Sequence, residues 1–427
     1  MKTLKVGMLG AGTVGSQIAR LLVDNKADLA SRAGAELELV KVAVKNINTK
    51  RVGIASSLLT DDAASIVNDP QIDLIIEVMG GISPAKELIL AALKNGKSVV
   101  TANKALLAKD GATLYEAAAK ANVDLYYEAA VAGAIPILRP LRESLVGDHV
   151  VRIMGIVNGT TNYILTKMDE EGTAFKDALK QAQELGFAEA DPTADVEGID
   201  AADKAAILAG LAFHSRVTDK DVYREGISKI TAADVKVAKT MEMVIKLLAI
   251  TELTAEGEIS VRVHPALISR NHPLAAVRES FNAVFVEAKS AGQMMFYGRG
   301  AGGEPTASAV LGDLVAVARH KVSGGVGPKE SDYASLKIAP IGEIKTRYLI
   351  RLNVADKPGV LESVAHVFAS HSVSIQTVRQ SGAGDKAELI VMTHHSSESA
   401  LSATVKDLSK LSAVSDVASV LRVEGVI

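Results

Sequence analysis

Leu4-Lys5-Val6-Gly7-Met8-Leu9-Gly10-Ala11-Gly12-Thr13-Val14-Gly15 opens the chain, and its reading decides the fold class. The apolar run 4–9 predicts a buried strand, and a helix is predicted from about residue 16 to 23. The spacing G-x-G-x-x-G falls between the two. Gly10 permits the tight turn, Gly12 lets the backbone approach a pyrophosphate, and Gly15 lets helix and strand pack closely; the helix N-terminus then faces the negative charge. Gly10, Ala11, Gly12, Thr13, Val14 and Gly15 are therefore predicted to cradle a dinucleotide.

Working outward, a second predicted strand, 37–44, ends at Lys45, with Lys50 and Arg51 close behind. A site selective for NAD places Asp or Glu near this point, on the ribose 2′-hydroxyl. Cations suit a 2′-phosphate, so Lys45 predicts a preference for NADP, with NAD also usable. Solvated loop cations are the alternative reading. The apolar run 72–79 predicts a buried parallel strand. Residues 80–84 open a further helix, and 97–101 predict a strand leading into Asn103-Lys104. Residues just beyond the carboxyl ends of parallel strands line the ligand crevice, which makes Lys104 a site candidate. Strand–helix alternation to about residue 130 predicts an α/β fold with an N-terminal doubly wound Rossmann domain.

Composition narrows the function classes. The 427 residues imply about two to three domains. With 48% apolar and 23% charged residues the chain has the make-up of a soluble enzyme. A net charge of −3 and the lack of tryptophan give no argument for nucleic acid or an anionic membrane. No cysteine is present, so disulfides, thiolate metal sites and thiol nucleophiles are excluded. No signal-peptide pattern opens the chain, and no apolar run approaches the roughly 18 residues of a membrane span. A cytoplasmic protein is the expectation.

Further along, 186–204 (GFAEADPTADVEGIDAADK) gathers Glu189, Asp191, Asp195, Glu197 and Asp200 ahead of Lys204. Carboxylates at that density call for a cation, a basic partner or a polar ligand. Asp191-Pro192 and Glu197-Gly198 are turn chemistry. Residues 199–208 predict a helix with Asp200 and Lys204 on one face, at i and i+4. Taken alone, the stretch also reads as an acidic surface loop with a weak exposed ion pair. It is not a calcium loop: counting from Asp191, Val196 stands where an EF-hand needs Gly and Ala202 where it needs Glu. Upstream, 150–157 predict a strand entering the small-polar turn Asn158-Gly159-Thr160-Thr161, where a ligand-facing junction and a plain capped helix look alike. Downstream, a helix is predicted over about 232–253 and strands over 257–263 and 281–288. A mixed sheet of that kind, with an apolar face, suits dimerisation. His264 and His272 lack ligand-like spacing.

Together the N-terminal motif, Asn103-Lys104, 158–165, 186–204 and Gly298-Arg299-Gly300-Ala301-Gly302-Gly303-Glu304-Pro305-Thr306 resemble homoserine dehydrogenase over about residues 4–320. The resemblance implies reversible reduction of L-aspartate 4-semialdehyde to L-homoserine with a nicotinamide cofactor. It implies Lys204 as the general acid/base, and Glu189 and Asp200, with Asp195 beside them, as carboxylates that hold the substrate's amino group. It implies Lys104 at both substrate and cofactor, and Gly186 and Gly302 near the nicotinamide half. It also implies a sodium or potassium ion on the carbonyls of Glu128, Val131, Gly133 and Ile135. A free lysine titrates near about 10.4, so at neutral pH it can donate the proton that an aldehyde oxygen needs on reduction. The neighbouring enzyme, aspartate-semialdehyde dehydrogenase, needs a thiol nucleophile that this chain lacks.

The remaining chain alternates as strand, helix, strand, strand, helix, strand from about residue 348. That βαββαβ order and the turn 356–361 resemble an ACT domain, which implies threonine as a feedback effector bound near Asn353, Gly359 and Gln376 between paired modules. A module that only cements the oligomer is the alternative. The expected division is 1–133 Rossmann domain, 134–320 an α+β substrate-binding and dimerisation domain whose last segment can return to the first, 321–346 linker and 347–427 ACT domain. A homodimer or homotetramer in threonine, methionine and isoleucine biosynthesis is expected, without a fused aspartate kinase. Two other readings stay open: a different NADP-dependent amino- or hydroxy-acid dehydrogenase, and an effector-binding protein on an inactive scaffold. Deleting residues after about 345 is expected to leave catalysis and abolish the threonine response.

Overall fold

The computed structural model describes residues 1–51, 53–382 and 387–425. Its first sheet holds β1 (Thr3–Leu9), β2 (Glu36–Ala43), β3 (Leu59–Thr60), β4 (Leu74–Glu77), β5 (Ser98–Thr101) and β6 (Leu125–Tyr126) in the order β3-β2-β1-β4-β5-β6. Every pair is parallel. The order reverses between β1 and β4, so their carboxyl ends part and open the crevice used by doubly wound folds. One face of this sheet is covered by the helices Thr13–Asp24 and Gly303–Ser323, which pack on each other. Val310, Leu314 and Val317 of the later helix share a core with Val6, Ile18 and Leu22. The chain thus returns to its first sheet after building most of a second one.

The second sheet takes in β7 (Val150–Ile156), β8 (Tyr223–Arg224), β9 (Met243–Leu253), β10 (Ile259–Ser269), β11 (Phe281–Ala288) and β12 (Gly292–Arg299). It continues with β13 (Lys345–Val354), β14 (Ile375–Ser381), β15 (Ala387–Thr393), β16 (Ser396–Ser397) and β17 (Val414–Val423). Its main path runs β12-β11-β7-β9-β10-β17-β13-β15-β14. The helices Gly159–Glu171 and Ile199–Phe213 lie on the face formed by Ile153, Leu247, Val284 and Val286.

The helix expected over about 232–253 is two elements. A helix spans Ala232–Thr240, opened by a reciprocal Thr231–Asp234 capping box, and β9 takes the rest. Glu242, at φ 57°, turns the chain between them. Met243–Thr251 are buried without a break, as a strand covered on both faces must be. A continuous apolar run has no period, so the sequence alone does not separate the two states there.

The C-terminal module has the βαββαβ order, with helices Val360–Ser370 and Glu398–Leu408. It is not a free appendage. β17 pairs in parallel with β10 through Ala266–Arg422 and Leu267–Val423, and Leu349, Ile390 and Leu421 belong to the same core as the helix Ile199–Phe213. The segment before it is also pinned: Ile259 N–H donates to Lys337 O at 2.8 Å and Tyr127 Oη to Glu330 Oε2 at 2.7 Å. Truncation near residue 345 would strip β17 from β10 and remove Glu424 from Arg262, so the expectation that catalysis survives it does not fit this architecture.

Candidate active site

The glycine-rich turn has the shape its spacing predicts. Gly10 sits at φ 103°, and a Cβ there would lie 2.7 Å from Val78 O. A Cβ on Gly15 would lie 2.4 Å from Gly10 O, whereas one on Gly12 would meet nothing within 4 Å. Gly10 and Gly15 therefore let strands and helix close up, and Gly12 faces open space. Gly12 is the N-cap of Thr13–Asp24, with no side-chain cap on the free N–H groups. Gly302, at φ 119°, N-caps Gly303–Ser323, and a Cβ on Gly303 would lie 2.9 Å from Thr13 Cγ2. Two uncapped helix N-termini thus meet at the mouth of the crevice, a fit for a pyrophosphate. Lys45 follows β2 in an exposed position. Arg51 crosses back over the turn, its Nε donating to Ala11 O at 3.2 Å.

At the crevice floor Glu77 is fully buried; its Oε1 accepts from Met79 N and its Oε2 from Thr101 Oγ1 at 2.5 Å. Burial pushes its carboxyl up, against those hydrogen bonds. Thr101 holds Asn103 N, and Asn103 N-caps the helix Lys104–Ala121. Lys104 stands in that helix's first turn, where a cation opposes the helix dipole. It is repaid by Asp200 Oδ1, 3.1 Å from its Nζ.

Asp200 is the hub. Its Oδ2 accepts from Lys204 Nζ at 2.7 Å and from Asn158 Nδ2 at 2.9 Å. Burial pushes the carboxyl up, but Lys204, Lys104 and the Asn158 bond outweigh it and hold it well below the usual carboxylate range. Asp200 in turn raises Lys104 against its burial. Lys204, buried, gives its second hydrogen bond to Val157 O at 2.6 Å. An ammonium carries three donors, so one remains. Asn158 also donates to Asp195 Oδ1 at 2.6 Å while capping its own helix through Thr161 N. Among the described residues Asp195 has no cation in hydrogen-bond contact, and burial raises its pKa. Asp203, one residue before Lys204, is pushed up to about 6, first by burial and then by Asp200.

Three family models match the chain: "Homoserine dehydrogenase, NAD binding domain" over residues 10–128, "Homoserine dehydrogenase" over 136–315 and "ACT domain" over 348–413. The homoserine dehydrogenase of Mycobacterium tuberculosis is 55% identical, across 99% of this chain and 98% of its own. The chain belongs to the homoserine dehydrogenase family. The crystal structure of the homoserine dehydrogenase from Thiobacillus denitrificans superposes with a TM-score of 0.94 at 41% identity, covering 99% of each chain. A hyperthermophilic archaeal homoserine dehydrogenase in complex with NADPH matches 74% of this chain and 98% of its own, at 28% identity and a TM-score of 0.61.

Homoserine dehydrogenase activity, a nicotinamide cofactor and an ACT module follow from that membership. No helix among the described residues is long and apolar enough to cross a membrane. Among the residues singled out in the sequence, Lys204, Asp200, Asp195 and Lys104 come together. Glu189 does not join them: it is exposed, and its backbone carbonyl accepts from Gln183 Nε2 at 3.1 Å. Gly186, at φ 75°, ends the turn after the helix Phe175–Glu184. Glu128, Val131, Gly133 and Ile135 share one tight turn in which Ala132 and Gly133 take φ of 56° and 57°. The Glu128 carboxylate faces away, accepting from Ile137, Leu138 and Arg139 N–H. In the ACT module, Asn353 lies at the end of β13, whereas Gln376 lies at the opposite end of the sheet, at the start of β14: Asn353 and Ser381 both register with Glu388, and Ile375 with Thr393. Asn158 was visible in the sequence as part of a turn that read equally as a ligand-facing junction or a plain helix cap; its role as the bridge between Asp195 and Asp200 needed β7 and the helix Ile199–Phe213 to be set side by side.

Proposed function

We propose that this site interconverts L-aspartate 4-semialdehyde and L-homoserine, with Lys204 as the proton donor and acceptor at the substrate oxygen. The observation that supports it best is the third, unused N–H of a buried lysine whose other two are fixed by Asp200 and Val157. The bound nicotinamide cofactor supplies or takes up the hydride. Lys204 protonates the oxygen as the aldehyde is reduced and accepts the proton in the oxidative direction. Asp195 is the natural seat for the substrate's α-ammonium, since an incoming cation there relieves a half-buried carboxylate held by the neutral donors Asn158 and Thr160. Glu189, at the rim, closes on the same group. Lys104 holds Asp200 and faces both substrate and cofactor. A panel of hydroxy and amino acids tests the reading; absence of homoserine-dependent NADP reduction overturns it.

NADP is the preferred cofactor in this reading. No acid stands between residues 44 and 51, Lys45 and Arg51 flank the turn, and an archaeal relative was solved with NADPH. Equal or better kcat/KM with NAD, unchanged in Lys45→Glu, would refute it. The carbonyls of Glu128, Val131, Gly133 and Ile135 form an oxygen-only set suited to sodium or potassium, and activity in KCl exceeding that in choline chloride would support the ion.

Threonine is the effector in this reading, bound between ACT modules of two chains. The separation of Gln376 from Asn353 within one chain supports a shared site, because a second module can bring the two together. Mass by light scattering tests the homodimer or homotetramer this requires, and a protein indifferent to millimolar threonine has no such sensor. In this reading the enzyme serves threonine, methionine and isoleucine biosynthesis in the cytoplasm.

A further inference from the structure

Arg422, on β17 of the ACT module, is buried at 6% exposure. Its Nε and Nη2 donate to both oxygens of Glu398, at 2.8 and 2.9 Å. Glu398 also accepts from Tyr348 Oη at 2.8 Å, so this end of the guanidinium is fixed within the module. The other end reaches out of it. Nη1 donates to Glu225 Oε2 at 2.7 Å and Nη2 to Tyr223 Oη at 3.0 Å, while Tyr223 donates to the second oxygen of Glu225. The guanidinium carbon lies 5.0 Å from the centre of the Tyr223 ring. A planar fork gripped at both ends has little freedom.

Beyond Glu225 the chain wraps the turn that carries the site carboxylates. Glu225 N–H is held by Val263 O at 2.8 Å, and Ile227 N–H by Val196 O at 2.8 Å. Gly226 presses on that turn: a Cβ there would lie 2.3 Å from Val196 O and 2.6 Å from Glu197 Cα. From the other side, Arg224 Cγ and Glu225 O lie 3.4 and 3.5 Å from the Cβ position of Gly198. Val196–Gly198 joins Asp195 to the helix that bears Asp200 and Lys204. Backbone packed this closely does not absorb a displacement; it passes it on.

We propose that Arg422 and Glu225 form a strut by which the seat of the ACT module sets the position of Asp195 and Asp200. Both are positioning residues for homoserine, and the strut is the contact through which an effector bound in the module reaches the site. The first half rests on the reaction proposed above, the second on the effector reading. β10–β17 pairing holds the module in place; the strut supplies the fine adjustment.

Steady-state kinetics on the full-length protein test it. Glu225 is half-exposed (43%), so its variants should fold. Glu225→Ala should raise KM for L-homoserine about tenfold, with KM for NADP changed less than about twofold. Glu225→Gln keeps one acceptor oxygen for Arg422, turns its amide N–H toward Tyr223 Oη, and should restore part of the loss. Gly226→Ala leaves the strut intact but displaces the turn, and should lower kcat/KM for homoserine about tenfold. Where threonine inhibits the wild type, Glu225→Ala should lose at least half of that response while calorimetry shows threonine still bound. Homoserine KM unchanged in both Glu225→Ala and Gly226→Ala overturns the strut, as does a threonine response that persists in full in Glu225→Ala. A wild type that neither binds nor responds to threonine removes the effector reading alone, and the strut is then judged on the homoserine KM.

Discussion

Lys204 and Lys246 are both buried, at 8% and 2% exposure, and they are built for opposite ends. Lys204 sits on a helix at the crevice, tied to the Asp200 carboxylate and a carbonyl. Lys246 sits in mid-β9, against Asn162 Oδ1 at 3.0 Å and Val277 O at 2.5 Å, both neutral. Burial drives the Lys246 pKa down to about 8, only partly opposed by Asp169 and Glu170. Burial alone therefore does not mark a proton-transfer lysine. What distinguishes Lys204, in the role proposed for it, is a counter-charge shared with Lys104 and its place at the crevice. Lys246 spends its donors bracing Asn162, whose Nδ2 in turn holds Glu279 O at 2.8 Å.

The widest separation between the two should appear in turnover. Lys204→Ala is expected to lower kcat by about 10³-fold, within the range of a lost general acid/base. Lys246→Met should leave kcat within about threefold, since it touches neither crevice nor cofactor turn. A Lys204→Ala enzyme with near wild-type kcat would remove the proton-transfer role. A comparable kcat loss in Lys246→Met would erase the distinction.

A smaller effect isolates the web around Lys204. Asn158→Asp keeps an oxygen to cap the helix through Thr161 but sets a third carboxylate against Asp195 and Asp200. The melting temperature should hold, because Asp and Asn cap about equally well. Homoserine kcat/KM should fall about tenfold to a hundredfold as two charge-assisted hydrogen bonds become repulsions. Equal losses of stability and activity would mean that Asn158 acts as a cap only.

How much of this was legible in the sequence follows from what each region is made of. The cofactor turn was legible because its requirement is local: Gly10 and Gly15 answer backbone geometry within one strand–turn–helix, and Gly12 leaves the outer side of the turn clear. Asp200 and Lys204 were legible as a pair because i and i+4 share a helix face. Lys104 was legible only as a residue past a strand end; its bond to Asp200 depends on how the helices Lys104–Ala121 and Ile199–Phe213 pack. Asn158 was legible only as a turn residue, ligand-facing or capping, and Arg422 and Glu225 only as surface-type charges, since their partners lie far along the chain. β9 was misread as helix because a strand buried on both faces shows no alternation, and Lys246 was hidden with it.

The smallest effect, and the one that reads Lys246 directly, is in stability against pH. An unfolded lysine titrates near 10.5 and the folded one near 8, so between those values the unfolded chain binds the extra proton. Unfolding free energy therefore gains from this group as pH rises, by at most about 1.4 kcal/mol per unit. The gain is absent below pH 8, where both states are protonated and the cost of burying the charge is fully felt. Denaturant midpoints from pH 7.5 to 9.5 should rise for the wild type relative to Lys246→Met, which has no proton to lose. Taking the difference cancels the other groups that titrate there, except those coupled to Lys246 itself, the Asp169 and Glu170 carboxylates first among them. Parallel curves for the two proteins would mean that Lys246 keeps its proton in the folded state, stabilised by those two carboxylates. The contrast with Lys204 would then rest on the crevice and the directly bonded Asp200 carboxylate.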